Sequence, residues 1–524
     1  MNISEISTHI DKILLDIIGN KYITDSDIEH IVQYITMILN DTLKIDKSVL
    51  HEIVKIDIEK KLIKKYYYIS DPIDDLTDDP MTLDNSCSEF SEITIDLEEE
   101  FSTKKKSVSN YINSDSNSTN NYKNAGDLVN HKYDCNLSKY LDNKHKYRTK
   151  RVDELKKIPQ YAQKSIEWLD QRKKCLTATA IATVIDEDPY KYPIELLLDK
   201  CGRGEPFIEN ENVHHGRKYE EIGTMFYMFR NNVRVAEYGL IPDQRYSHLA
   251  ISPDGICETV RYDSNNLSYL VGRLLEIKFP KKRKIMVEGK LDGDICPHYY
   301  YVQVQAQLFV TQMDECDFLQ CKIDEYESFQ EYLDDTNPII PGLSAETNLE
   351  KGCLIQLLPK DMINDDPKMC LYNAQYLYPP RLHMTETELK EWIGTETMIF
   401  HENPLSEKYI IDRVIYWRLA KVACNLIKSD KSWFESKLPT LKQFWDYVLY
   451  YQQHPKALDN IIKHVNKIGV ENSEKIFKII HRDFTDANPD TKYTRLYKSE
   501  STWRKYYNKH YAYLKKYRKH VIYV

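Results

Sequence analysis

The stretch Leu274-Leu275-Glu276-Ile277-Lys278-Phe279 constrains the fold of this chain more than any other. Successive side chains of a β-strand point to opposite faces. Leu275, Ile277 and Phe279 therefore share one face, and Leu274, Glu276 and Lys278 share the other. The apolar face calls for helices packed against it. The opposite face sets a carboxylate beside an ammonium, a combination that is costly to bury unless the charges pair. The strand is read over Tyr269 to Phe279. A second strand, His248 to Ser252, runs into Pro253-Asp254-Gly255, where the proline and glycine break it and leave Asp254 at its end.

Carboxylates converging near a cation suit phosphodiester hydrolysis. That reaction needs an activated water and charge neutralisation on the phosphate, and a divalent metal held by hard oxygen ligands supplies both. Asp254, Glu276 and Lys278 are the residues placed for this chemistry. Asp-Gly alone, or Glu-x-Lys alone, reads as an ordinary turn or an exposed salt-bridged strand. The two in order point to a site.

At 524 residues the chain exceeds one ordinary core and implies several domains. Residues 1–70 read as helical. Ile28, Ile31, Val32, Ile35, Ile38 and Leu39 recur at helical spacing, and a second amphipathic stretch runs from Ser48 to Tyr67. Residues 71–150 read as an acidic, then Ser/Asn-rich linker, too polar to offset its ordering entropy by burial. Residues 151–335 alternate between helical and strand-like patterns. Residues 336–524 read as mostly helical, with a capping box at Thr385-Glu386-Thr387-Glu388 and helices expected over Tyr409–Ile427 and Leu441–Gln452. The tail interleaves aromatic and basic residues, as in Trp503-Arg504-Lys505-Tyr506-Tyr507. It suits either a DNA grip or an amphipathic helix packed on its neighbours.

The net charge of −9 disfavours nucleic-acid binding only on average, since the charge is unevenly spread. Lys281-Lys282-Arg283 follows the charged strand directly, where a substrate backbone would enter, and suits either phosphate contact or a solvated charge run. The eleven cysteines form no Cys-x-x-Cys pair, so neither a disulfide framework nor a zinc site is expected. No apolar run approaches the length of a membrane helix, and the N-terminus lacks the order of a secretory signal. An intracellular protein is expected, in the host cytoplasm or a viral factory if the chain is viral.

Pro253-Asp254 … Glu276-Ile277-Lys278 resembles the PD-(D/E)xK nuclease signature. The surroundings are more narrowly similar to the YqaJ-type viral recombinase family, which includes the phage lambda exonuclease. Trp168-Leu169-Asp170-Gln171-Arg172 followed by Leu176-Thr177-Ala178-Thr179 resembles the family's opening segment. His215-Gly216-Arg217-Lys218-Tyr219-Glu220 resembles its Gly-x-x-x-Glu helix start. Ser252-Pro253-Asp254-Gly255 matches in full, and Tyr300-Tyr301-Val302-Gln303-Val304-Gln305 resembles the closing glutamine helix. The likeness spans roughly residues 165–324, and the whole chain looks most like giant-virus members, of mimivirus type, described as Cas4-like.

The resemblance implies an α+β fold: a restriction-endonuclease-like core, with a central mixed sheet flanked by helices and helical N- and C-terminal additions. It implies that Asp254, Glu276, Glu220 and the Ile277 carbonyl hold one or two Mg²⁺ or Mn²⁺ ions, with His215 a further ligand. Lys278 would orient or deprotonate the attacking water, and Gln303 would hold the water or a carboxylate. Arg172 and Thr179 would bind a terminal 5′-phosphate, and Lys281, Lys282 and Arg283 the DNA backbone. Glu221 stays an alternative to Glu220, and Gln305 and Gln307 to Gln303. The implied activity is a metal-dependent DNA exonuclease attacking 5′ ends in recombination, repair or defence. An endonuclease or flap nuclease on the same site, or a catalytically weak DNA-binding scaffold, is the alternative. The expected partners are double-stranded DNA with free ends, single-stranded DNA, further copies of the chain as a dimer or ring trimer, and a recombination protein. Cas4-type enzymes carry an iron–sulfur cluster on four cysteines; the spacing here predicts none.

Overall fold

A computed structural model describes residues 135–163, 165–205, 209–261, 263–363, 366–511 and 523. The helical readings over residues 1–70 and the acidic and Ser/Asn-rich stretch before Cys135 lie outside the described residues. Helix α1 (Cys135–Lys156) begins inside the segment expected to be linker. Charge ties it down: Lys144 and Arg148 reach Asp314 at 2.8 and 2.7 Å, and Arg148 also meets Glu315 at 2.7 Å. Helices α2 (Ile166–Lys173), α3 (Ala178–Val184), α4 (Pro193–Lys200) and α5 (Glu211–Arg230) follow.

Among the described residues the strands form two sheets. In the smaller, β1 (Leu176–Thr177), β4 (Leu249–Ile251) and β3 (Ile241–Pro242) lie in that order. The larger has eight strands. Its near half contains β2 (Val233–Ala236), β5 (Gly255–Val260), β6 (Asp263–Leu267), β7 (Leu274–Lys278) and β8 (Glu315–Glu325). Its far half contains β9 (Lys351–Pro359), β10 (Gln375–Leu377) and β11 (Tyr409–Lys428). The order is β10-β9-β11-β8-β7-β5-β2, with β6 beside β5. Only β7 and β8 pair in parallel within this sheet among the described residues. A parallel pair needs a crossover rather than a tight turn, and helix α6 (His298–Thr311) lies on that connection.

The expected alternation along β7 holds. Leu275, Ile277 and Phe279 enter one core with Tyr219 and Ile222 of α5, whereas Leu274 enters another with Val302, Val304 and Leu308 of α6. The sheet is thus covered on both faces. Helix α5 approaches β7 closely because Gly223 has no side chain; a Cβ there would stand 2.7 Å from Ile277 Cγ2 and 2.9 Å from Phe279 Cε2. Gly223→Ala is expected to cost about 1–3 kcal/mol by overpacking, read as a lower denaturant midpoint at unchanged slope.

The C-terminal region corrects one expectation. Tyr409–Ile427 is not a helix but most of β11, which runs between β8 and β9. Its β-branched and aromatic residues, Ile410, Ile411, Val414, Ile415, Tyr416 and Trp417 among them, favour a pleated surface over a helix. The region after residue 336 therefore supplies three strands to the larger sheet as well as its helices. The capping box at Thr385 and Glu388 is present, and helix Lys431–Gln453 contains the helix expected over Leu441–Gln452. In the basic tail, helix Thr502–His510 packs inward: Trp503 stacks on His298 with centroids 4.0 Å apart, and the buried Arg504 bonds Asp186 at 2.8 Å. Among the described residues no helix is long and apolar enough to cross a membrane.

Candidate active site

Asp254 stands where the chain leaves the smaller sheet at β4 and enters the larger at β5. Gly255 opens β5 because a Cβ there would meet Val235 Cγ1 at 2.0 Å. The β5–β7 ladder pairs Gly255 with Leu275 and Ile256 with Leu274. The Ile277 N–H lies beyond these pairs and donates to Asp254 Oδ2 at 2.7 Å. Local strand geometry thus docks Asp254 on the residue between Glu276 and Lys278.

Glu276 is fully buried. Its Oε1 accepts from Gln303 Nε2 at 2.7 Å, and its Oε2 accepts from Gln307 Nε2 at 2.8 Å. The two glutamines sit one helical turn apart on α6. Lys278 donates to Glu276 Oε1, and its ammonium lies 4.7 Å from the Tyr300 ring centroid. Burial alone would lower the Lys278 pKa, but the carboxylates of Glu276 and Asp254 outweigh it and raise it. Lys278 therefore stays a cation. Asp254 moves the other way: burial and then the charge of Glu276 push its carboxyl well above the usual range, Glu220 adds to this, and Lys278 opposes it. Glu220 is half-buried and felt at Asp254, while the neighbouring Glu221 is exposed. The structure brings both Gln303 and Gln307 to Glu276 and takes Gln305 elsewhere, onto the Lys428 carbonyl at 2.8 Å and the Asp430 N–H at 2.7 Å.

Hard oxygens with an excess of negative charge fit a divalent ion. Among the described residues no three His, Cys, Asp or Glu side chains already stand together as a metal cage; here Lys278 neutralises Glu276. His215 packs edge-on to Tyr219 with centroids 5.0 Å apart. Burial, then Lys281 and Lys218, push its pKa down to about 4, leaving a neutral ring near pH 7.

Arg172 lies with its guanidinium 4.3 Å from the Trp168 ring centroid, and the Trp168 indole donates to Ser252 Oγ at 3.2 Å. This chain of contacts links α2 to the segment carrying Asp254. Lys200, which the sequence did not single out, donates to the Arg172 carbonyl at 2.6 Å. Its pKa is pushed down to about 8, chiefly by burial, with the Arg172 charge contributing. Among the described residues neither cation has a carboxylate partner. Thr179 is exposed in the first turn of α3, its hydroxyl 3.2 Å from that of Thr177. The basic run is partly neutralised: Lys281 and Lys282 meet Glu211 at 2.5 and 3.5 Å, and Arg283 donates to Gln320 at 2.7 Å.

Residues 167–314 match the profile of the YqaJ-like viral recombinase domain. The uncharacterized protein R354 of Acanthamoeba polyphaga mimivirus is 49% identical over 531 aligned positions, covering 97% of this chain and 95% of that protein. Among solved structures, the alkaline exonuclease LHK-Exo of Laribacter hongkongensis is similar at 15% identity, over 56% of this chain and 96% of that one, with a TM-score of 0.30. Its complex with dAMP gives the same coverage and score at 16% identity. The chain belongs to the YqaJ-like viral recombinase family, with the mimivirus protein as a relative along nearly the whole of both chains.

Proposed function

We propose that this chain is a divalent-metal-dependent deoxyribonuclease that removes nucleotides from the 5′ end of linear DNA during viral recombination or repair. The observation that carries this reading is the buried Glu276, held by Gln303, Gln307 and Lys278 beside a crowded Asp254. Asp254, Glu276, Glu220 and the Ile277 carbonyl would hold one or two Mg²⁺ or Mn²⁺ ions. A bound ion would act as a Lewis acid on the phosphate and make water more acidic. The two glutamines fix the Glu276 carboxylate from behind, so it need not reorganise during the reaction. Lys278 orients the attacking water and offsets charge developing on the phosphate. Trp168 positions the Arg172 fork, and Arg172 with Lys200 forms a cationic pair suited to a terminal phosphate.

Digestion of 5′-labelled, 3′-labelled and closed circular DNA, with Mg²⁺ or Mn²⁺ and with chelator, tests the reading. Release of the 5′ label first from linear DNA, with circles intact and no cleavage in chelator, is expected. Cleavage that persists in chelator defeats metal dependence, and cutting of circles defeats the exonuclease assignment. Arg172→Ala is expected to abolish any preference for 5′-phosphorylated over 5′-hydroxyl ends, a loss of about tenfold or more if one charge-assisted phosphate contact is removed. Equal cutting of both ends by the parent protein would rule out the end-binding role.

A further inference from the structure

A second feature lies outside the lining of the carboxylate site and is not used by it. A cavity of about 500 Å³ opens between α5 and the C-terminal region. Lys281, which follows β7 by way of Phe279 and Pro280, is part of its lining. One wall is α5, with Glu211, His215 and Lys218. The other comes from residues beyond the family-matched segment: Lys368, Leu371 and Tyr372 of the helix Pro367–Tyr372, and Arg413 and Ile415 of β11.

The charges of the lining are unequal. Lys281 is matched by Glu211 at 2.5 Å and Lys218 by Glu325 at 2.7 Å. The Arg413 Nε is braced by Asp412 at 2.7 Å. Lys368 has no carboxylate partner among the described residues; its ammonium lies 5.8 Å from the Tyr372 ring centroid. His214 and His215 are held neutral near pH 7, each pushed to about 4 mainly by burial. A chain with a net charge of −9 thus concentrates four cations against two carboxylates around one cavity. The lining also has apolar surface: Leu371 is 38% exposed although it is a leucine on a helix, and the buried Tyr372 next to it in the chain also lines the cavity. Cations for a phosphate beside an apolar and aromatic surface for a base describe a nucleotide-sized site, and the volume falls within the range of small-ligand pockets.

We propose that this cavity binds a nucleotide unit of DNA, its phosphate against Lys368 and Arg413 and its base against Leu371 and Tyr372. The proposal rests on the deoxyribonuclease reading for its choice of ligand, but it concerns binding rather than cleavage. The unit could belong to a DNA strand leaving the carboxylate site or be a free mononucleotide product, and the two sources are separable.

The test uses the full chain in chelator, where binding is measured without cleavage. A fluorescent dT12 oligonucleotide is titrated at several salt concentrations, with dTMP and inorganic tripolyphosphate as competitors. The Lys368→Ala/Arg413→Ala protein should bind dT12 at least about tenfold more weakly, and its slope of log affinity against log salt should fall by about 0.7, the loss of the one single-strand phosphate that both cations face. Its melting temperature should be unchanged. Displacement of dT12 by dTMP assigns the site to the free mononucleotide; binding of dT12 that dTMP does not displace assigns it to a strand. Unchanged affinity and salt slope in the variant overturn the proposal. So does tripolyphosphate competing as well as the nucleotides, because the base would then contribute nothing. Failure of the nuclease reading shows separately, as no cleavage of linear DNA by the parent protein with Mg²⁺ or Mn²⁺, and leaves this binding result standing.

Discussion

Asp254→Ala protein is expected to cleave linear DNA roughly a thousandfold or more slowly than its parent, as removal of a centrally placed electrostatic group does in other hydrolytic sites. It is the more informative of the two carboxylate substitutions. Truncating Glu276 would strand three donors, the buried Gln303 and Gln307 and the half-buried Lys278. Truncating Asp254 removes one acceptor, that of the Ile277 N–H. It also removes a carboxylate crowded by burial, Glu276 and Glu220. The loss of one hydrogen bond and the relief of like-charge repulsion oppose each other. Without metal, the variant's melting temperature should therefore equal or exceed that of the parent. Added Mg²⁺ should raise the parent's melting temperature and leave the variant's unmoved, since only the parent keeps the ligand. Undiminished cleavage by the variant would sink the site assignment, and an equal Mg²⁺ shift in both proteins would sink Asp254 as a metal ligand.

Glu350→Ala should have the largest effect on stability, a loss of about 3–5 kcal/mol for breaking a buried ion pair from one side. Glu350 is fully buried and accepts from Arg230 at 2.6 and 3.0 Å in a two-pronged contact, with His383 at 3.4 Å. Arg230 ends α5, the helix that carries Glu220. The pair therefore fastens the helix above the site to the C-terminal region. Burial alone would raise the Glu350 pKa, but Arg230 and His383 outweigh it and lower it to about 2. A depressed carboxylate lends stability that is complete above its unfolded pKa, near 4.5, and is lost as pH falls towards 2. Denaturation of parent and variant should accordingly converge in that window and differ most above it. A constant difference from pH 7 down to 2 would contradict this, as would a variant as stable as the parent at pH 7.

Much of the centre was legible in the sequence because it depends on short-range periodicity. Alternation along β7 places Glu276 and Lys278 on one face whatever surrounds them, and Pro253 and Gly255 mark the end of a strand at Asp254. The spacing of Gln303 and Gln307 is visible too, but which of them meets Glu276 depends on how α6 crosses β7, and both do. Glu220 and Glu221 differ only in rotation about α5, which is set by packing against Ile277 and Phe279. Lys200 and Arg172 are separated by a strand and a helix, so no local pattern could pair them. The helix expected over Tyr409–Ile427 failed for a related reason. In β11 the register shifts between Ile411 and Arg413 and again between Leu419 and Lys421. Each shift breaks the two-residue repeat that would have announced a strand. Its composition, rich in Ile, Val, Tyr and Trp, was the signal that remained.

The parallel pairing of β7 with β8 also has a consequence in time. These strands cannot meet until the connection between them has folded back across the sheet, and such closures are slow steps in assembly. Gln303 and Gln307 ride on that very connection. The Glu276 carboxylate therefore acquires its two amide partners in the same event that joins the strands, and in a refolding chain catalytic competence would arrive late, together with the last slow phase rather than with the first collapse.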